Sequence, residues 1–154
     1  MKIVVLAGGT STERDVSLIS GSNIYKALKS RGHQTILLDV YLGYDTTEPV
    51  SESLFDADID WARDIRAISA EKPDLSHLKE LRRDGGKSMF GPHVLELCNM
   101  ADIVFLGLHG ANGEDGRIQA AFDLMGIPYT GTGYLSSAIA MDKSLSKQMF
   151  RAAG

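Results

Sequence analysis

The chain has 154 residues, 44% apolar and 23% charged, the balance of one folded domain with a sizeable core. A net charge of −4 and a pI near 5.5 argue against nucleic acid as the main partner, since phosphate binding wants a basic excess. Cys98 is the only cysteine, so no intrachain disulfide forms, and the apolar run at the N-terminus is too short for a signal core or a membrane span. We therefore expect a cytoplasmic protein with no membrane partner.

"KIVVLA" (Lys2 to Ala7) is β-branched and almost continuously apolar, as a strand buried on both faces of a parallel sheet would be. Val16, Ile19, Ser20, Asn23, Ile24, Ala27 and Leu28 then fall on one face of a helix, with Asp15 placed as N-cap and Gly32 as the stop. "HQTILLDV" reads as a second strand, completing a β-α-β unit with a right-handed crossover.

Residues 41–91 are more polar and weakly periodic. They hold Pro49 and Pro73, with Pro92 at their edge, and read as an insertion of mixed structure. Within it "SLFDADIDWARDIRAI" fits strand and loop or a short helix. "HVLELCNM" predicts a short helix and "ADIVFLGL" (Ala101 to Leu108) a clear strand. After the loop "HGANGED", Ile118, Ala121, Phe122 and Met125 predict a helix capped by Asp115 and ended by Gly126. "IPYTG" reads as a short strand, and "MDKSLSKQMFRAAG" as a helix running to a glycine stop, as at the edge of a domain within a longer protein. The stripe Leu145, Met149 and Ala152 reads as core. Trp61 and the tyrosines read as packing residues. His33, His77 and His93 are assigned no role from the sequence.

Alternating strands and helices imply an α/β fold, Rossmann-like, with a mainly parallel sheet flanked by helices. Ligands of such sheets bind beyond the carboxyl ends of the strands. Three glycine loops lie there: after Ala7, after Leu108, and at Gly131 to Gly133.

"GGTSTE" matches neither G-x-G-x-x-G nor the phosphate loop. Glu13 and Asp15 would repel a phosphate at the helix N-terminus, so two readings of them stay open. They complement the helix dipole, the commoner case, or Glu13 is offered to an ammonium group. His109 is a residue that can bond a carboxylate or phosphate. Gly110, Gly113 and Gly116 free the backbone beside it for close contact with a ligand. A metal site is disfavoured, because no second histidine sits at the usual ligand spacing. Lys143 is either an anion contact or part of a solvated face.

In combination these motifs resemble the D-alanine–D-alanine ligase family of the ATP-grasp superfamily. The resemblance rests on "GGTSTERDVSLISG", on "HGANGEDGRIQAAFDLMGIPYTGTG" with its H-G-x-x-G-E-D-G core, and on "SSAIAMDKSLSK", in that order. Ala120 stands where the family more often has glycine. The resemblance implies the N-terminal, pre-ATP-grasp domain of such a ligase. Residues 1–140 would be the substrate-binding domain, and 141–154 the first helix leading into an ATP-grasp region.

It implies a reaction in which ATP phosphorylates one D-alanine and the amine of a second attacks the acyl phosphate, making the dipeptide of peptidoglycan. Glu13 would act at the ammonium of the first D-alanine, both binding it and serving catalysis. His109 and Gly110 would bind the same substrate, and Lys143 would contact ATP. ATP and magnesium would be cofactors of the full-length enzyme, with the magnesium ligands outside this chain, and a homodimer is implied. A ligase using D-lactate or D-serine as second substrate, and a stand-alone amino-acid-binding or dimerisation module, are the alternatives.

Overall fold

The computed structural model describes residues 1–65 and 75–154. Pro73 and the last three residues of the segment ending in Ile68 lie outside them. Three parallel strands, β1 (Lys2–Ala7), β2 (Gln34–Asp39) and β3 (Ile103–Leu106), form a sheet in the order β2-β1-β3. The flanking helices are α1 (Arg14–Ser30), α2 (Val94–Met100), α3 (Arg117–Met125), α4 (Tyr134–Met141) and α5 (Lys143–Ala153). The α/β reading holds. The apolar run of β1 has the expected cause, since it is the central strand and is covered on both faces. Ile3, Val5 and Ala7 pack with Tyr25 of α1, while Val4 and Leu6 pack with Leu97 of α2 and Phe122 of α3.

Several local expectations are corrected. Helix α1 begins at Arg14, with Glu13 rather than Asp15 at the N-cap position and no side-chain cap bond. Its buried face is Arg14, Ser17, Gly21, Ser22 and Tyr25, whereas Val16, Asn23 and Ala27 of the expected stripe are exposed. The reason is close packing: a methyl on Gly21 would lie 2.5 Å from the Ala7 Cβ and 3.1 Å from Leu37 Cδ1. Small residues, Ser17 and Gly21, take the closest contact with the sheet, while Tyr25 and the partly buried Leu18, Ile24 and Leu28 pack around it.

"IPYTG" forms a single parallel bridge, Val104 to Tyr129, rather than a strand. Asp115 lies one residue before the N-cap of α3, which is Gly116, though its carboxylate still accepts the Arg117 N–H at 3.3 Å. Met125 is exposed instead of packed. Leu145 and Met149 are exposed too, and no residue of α5 is buried, so the stripe read as core is surface among the described residues.

Within the insertion, Glu52–Phe55 is a 3-10 turn and the remaining described stretches are turns, bends and irregular chain. Arg82 organises its second half. The buried guanidinium lies over the Tyr41 ring at 4.6 Å, donates to the carbonyls of Ser88 (2.5 Å) and Phe90 (3.2 Å), and pairs with Asp84. That pairing holds the Asp84 carboxyl below its ordinary pKa. His77, for which the sequence offered no partner, lies with Nδ1 3.5 Å from Glu80 Oε2, and His93 has two partners: Glu96 Oε2 at 2.9 Å from Nδ1 and the Thr46 carbonyl at 3.2 Å from Nε2. The bond to Glu96 raises its pKa. Trp61 packs edge-on against Tyr44, as a packing residue should. Burial pushes the Cys98 thiol up to about 12, which marks it as inert core. Among the described residues no helix is long and apolar enough to cross a membrane.

The Gly21 contact gives a test with an unusual sign. At an open helix position Gly to Ala stabilises by about 1 kcal/mol. Here the added methyl overpacks the sheet, so Gly21→Ala should destabilise by about 1–3 kcal/mol, seen as a lower Tm. A raised Tm would show that α1 lifts off the sheet at little cost.

Candidate functional site

Because β1 and β3 are parallel neighbours, the loops that follow them emerge side by side at the carboxyl edge. The first carries Glu13 and leads directly into α1, and the second carries His109, Gly110 and Glu114. One ligand atom from each of Glu13, His109 and Glu114 lies within 4.8 Å of the others. Two of the expected site residues, Glu13 and His109, are thus brought together with Gly110 between them.

Each side chain is held by identifiable contacts. His109 is half-buried, with Nε2 3.3 Å from Ser20 Oγ of α1 and Nδ1 3.6 Å from Glu114 Oε1. The other Glu114 oxygen accepts the Gly110 N–H at 2.7 Å. Gly110 has φ +74, and a Cβ there would sit 3.0 Å from Ser11 Oγ and 3.1 Å from Glu13 Oε2. Backbone strain and tight space therefore both disfavour a side chain at this position. Farther along the loop, Arg117 donates to Asn112 Oδ1 (2.9 Å) and Asp115 Oδ2 (2.8 Å), while Asp115 accepts the Asn112 N–H (3.0 Å). These bonds fix the turn that carries Glu114.

The first loop is anchored from below. Arg14 is buried, ion-paired with Asp39 at the end of β2, and donates to the Gly9 carbonyl at 2.8 Å. Asp39 in turn accepts the N–H groups of Tyr41 (2.8 Å) and Leu42 (3.0 Å). Ser17, fully buried, accepts the Gly8 N–H at 2.9 Å and donates to the Gly107 carbonyl at 2.8 Å. One hydroxyl therefore ties the end of β1 to the end of β3. Sequence reading missed Ser11 and Ser17 and gave Ser20 only a place on the helix face. The available signal was the run of serines at 11, 17 and 20 directly after a glycine loop, with 17 and 20 spaced i, i+3.

Lys143 stands elsewhere in the structure. It is exposed at the start of α5, behind Asp142, whose side chain accepts the Leu145 N–H at 2.9 Å as the helix cap. No hydrogen bond or ion pair joins Lys143 to Glu13 or His109 among the described residues. Beside Glu114 lies an open cavity of about 390 Å³, lined also by Gln119, Thr130 and Ser137. Gln119 Nε2 donates to the Gly113 carbonyl at 2.9 Å, while its buried Oε1 has no hydrogen-bond partner.

The chemistry of the cluster is that of two carboxylates flanking an imidazole. An ammonium group, with three donors, suits this set. The spacing would also admit a cation, but Glu13 and Glu114 are exposed and Glu114 is already committed to the Gly110 N–H. We assign no metal to it.

Residues 2–132 match the family described as "D-ala D-ala ligase N-terminus". Similar curated proteins include the D-alanine–D-alanine ligase of Lacticaseibacillus casei, 48% identical over 149 residues, covering 97% of this chain and 41% of the relative. That of Pediococcus pentosaceus is 47% identical over 150 residues, covering 97% of this chain and 42% of the relative. Among solved structures, the D-alanine–D-alanine ligase from Bacillus anthracis complexed with ATP has a TM-score of 0.61 at 26% identity, covering all of this chain and 37% of its own. The enzyme from Coxiella burnetii gives 0.61 at 27% identity, covering all of this chain and 42% of its own. The chain spans about two fifths of the length of the curated relatives it matches.

The Ser17 bridge gives the site's stability test. Ser17→Ala leaves the Gly8 N–H and the Gly107 carbonyl buried and unpaired, a cost of about 1–3 kcal/mol. We expect a lower denaturation midpoint with unchanged m-value. A neutral Ser17→Ala would mean that the strand ends are held by the sheet alone.

Proposed function

The chain belongs to the N-terminal domain family of the D-alanine–D-alanine ligases, and on that premise we propose that its parent protein joins two D-alanine molecules at the expense of ATP, this domain holding the first. The observation that carries the proposal is the convergence of Glu13, His109 and Glu114 from two loops at one sheet edge. Glu13 receives the substrate ammonium. Charge complementarity supports that role, and Glu13 makes no side-chain cap bond that would commit its carboxylate to α1.

His109 lies beside the same substrate, positioned to bond its carboxylate and to balance charge as the phosphoryl group arrives. Its two ring nitrogens face Ser20 and Glu114, which fix the ring plane. Gly110 keeps the space between the loops open.

ATP is the phosphoryl donor in this reading, supported by the ATP complex of the Bacillus anthracis relative. Lys143 is the residue of this chain proposed to contact it, as a point charge at the start of α5. Fit to the nucleotide is partial: one exposed lysine is no phosphate cradle, and magnesium is assigned to carboxylates outside this chain. ATP, once bound, would supply the phosphoryl group that activates the substrate carboxylate. The product would serve peptidoglycan synthesis in the cytoplasm, a placement supported by the single, buried cysteine. A homodimer belongs to the same reading and rests on the resemblance.

Two outcomes check the proposal. In the intact parent, Glu13→Gln loses a charge-assisted contact of about 1.5–3 kcal/mol, so kcat/KM for the first D-alanine should fall about 10- to 100-fold. Wild-type kinetics in that variant would remove Glu13 from the site. The 154-residue chain alone should release no phosphate from ATP in the presence of D-alanine, and sustained turnover by it would contradict the assignment of the nucleotide to the rest of the parent.

A further inference from the structure

We propose that Ser11 is a positioning residue that sets the register between the carboxylate loop and the histidine loop, so that Glu13 and His109 engage the same substrate molecule. The proposal rests on the site reading given above. Ser11 is buried although it lies in a loop of a glycine-rich motif, with only 8% of its surface exposed. Its hydroxyl donates to the His109 carbonyl at 2.7 Å and accepts the Glu13 N–H at 3.1 Å. The two proposed substrate-binding residues are therefore joined backbone to backbone through a single oxygen atom.

Three features make this a specific device rather than incidental packing. First, a hydroxyl is the small group that donates and accepts at once, and both capacities are used here. Second, the space it occupies is made by Gly110: a Cβ at 110 would lie 3.0 Å from Ser11 Oγ and 3.1 Å from Ser11 Cβ. The same absent side chain that exposes Glu13 Oε2 admits the serine. Third, the other links between the loops run through α1. Ser17 reaches Gly107 and Ser20 reaches the His109 ring. These set the height of the histidine loop above the helix, whereas Ser11 couples the main chain at 109 to the main chain at 13. Without it, a carboxylate and an imidazole each remain in place but no longer at a fixed separation. Misplacement by about 1 Å is enough to cost on the order of 100-fold in rate.

The test uses the intact parent protein. Ser11→Ala removes both bonds, and Ser11→Cys keeps a weak donor and acceptor in the same place. Thr12→Ala, at an exposed neighbour, is the control. We expect KM for the first D-alanine to rise at least tenfold in Ser11→Ala, less in Ser11→Cys, and not at all in Thr12→Ala, at temperatures where all are folded by Trp61 fluorescence. Because Ser11 acts through Glu13, Ser11→Ala should add less than threefold in a Glu13→Gln background.

A serine that served stability alone would lower Tm and leave KM unchanged; that result, or effects that multiply fully with Glu13→Gln, would overturn the proposal. The His109 ring signals in NMR read the register without substrate. They should move in Ser11→Ala and stay fixed in Thr12→Ala, and unmoved signals in Ser11→Ala would also overturn it. If the wild-type parent has no D-alanine-dependent activity, the site reading fails instead, and the NMR arm still decides the role of Ser11.

Discussion

The close approach of α1 to the sheet at Gly21 is the constraint on which the site depends. The helix can descend until Gly21 meets Ala7 only because that position has no side chain. At that depth, one turn earlier, Ser17 reaches the ends of two strands together, the N–H of Gly8 and the carbonyl of Gly107. A helix standing even a methyl's thickness higher would leave both groups without a partner, and buried polar groups without partners are costly. The loops after β1 and β3 start from those two residues. Their mutual placement is thus inherited from a packing contact in the core.

The second element of the design is the ion pair between Arg14 and Asp39. Both partners are largely buried, a setting in which desolvation offsets most of the Coulomb gain. Its value lies in what it fixes. Arg14 is the residue after Glu13 and opens α1, and its guanidinium also bonds the Gly9 carbonyl, while Asp39 gathers the N–H groups that follow β2. The loop from Gly9 to Glu13 is held at one end by a charge anchored on β2 and at the other by Ser11 against the histidine loop. A carboxylate proposed to receive an ammonium loses affinity if its loop must first be ordered, and here the loop's main chain is held by bonds made on folding.

What was legible in the sequence divides along physical lines. β1 announced itself because a central parallel strand needs apolar residues on both faces, and alternate residues of Lys2–Ala7 do cover both. Glu13 and His109 could be singled out because glycines follow both strands, and chain connectivity alone places such loops at the carboxyl edge. The inward face of α1 was legible only in part. Periodicity scores large apolar residues: it found Ile24 and Leu28, which pack on the sheet, and missed Ser17 and Gly21, which make the closest contact. Ser11 was hidden for a related reason, since its partner lies 98 residues away in sequence and only the parallel pairing of β1 with β3 brings them together. The helix α5 failed in the opposite direction. Leu145 and Met149 form a true amphipathic stripe, but a stripe states only that a face is apolar, not which surface covers it.

The charge at the site carries the synthesis one step further. Glu13 and Glu114 bracket His109 with two carboxylates against one imidazole, a set suited to the cationic end of an amino acid. The anionic end, and still more a phosphoryl group transferred to it, needs positive charge or preorganised donors. Asp15 lies in the first turn of α1 and Asp115 just before α3, so negative charge already stands at both of these helix starts. Lys143 is the cation that the proposed reaction draws on from this chain, and it belongs to α5, not to the two loops. The chemistry therefore separates by charge. In the proposed reading the two carboxylates of the sheet edge meet the amine, His109 alone meets the anionic end, and further positive charge comes from another surface. In such a division, the loops contribute most by being immobile, which is what the Ser11, Ser17 and Arg14–Asp39 contacts achieve.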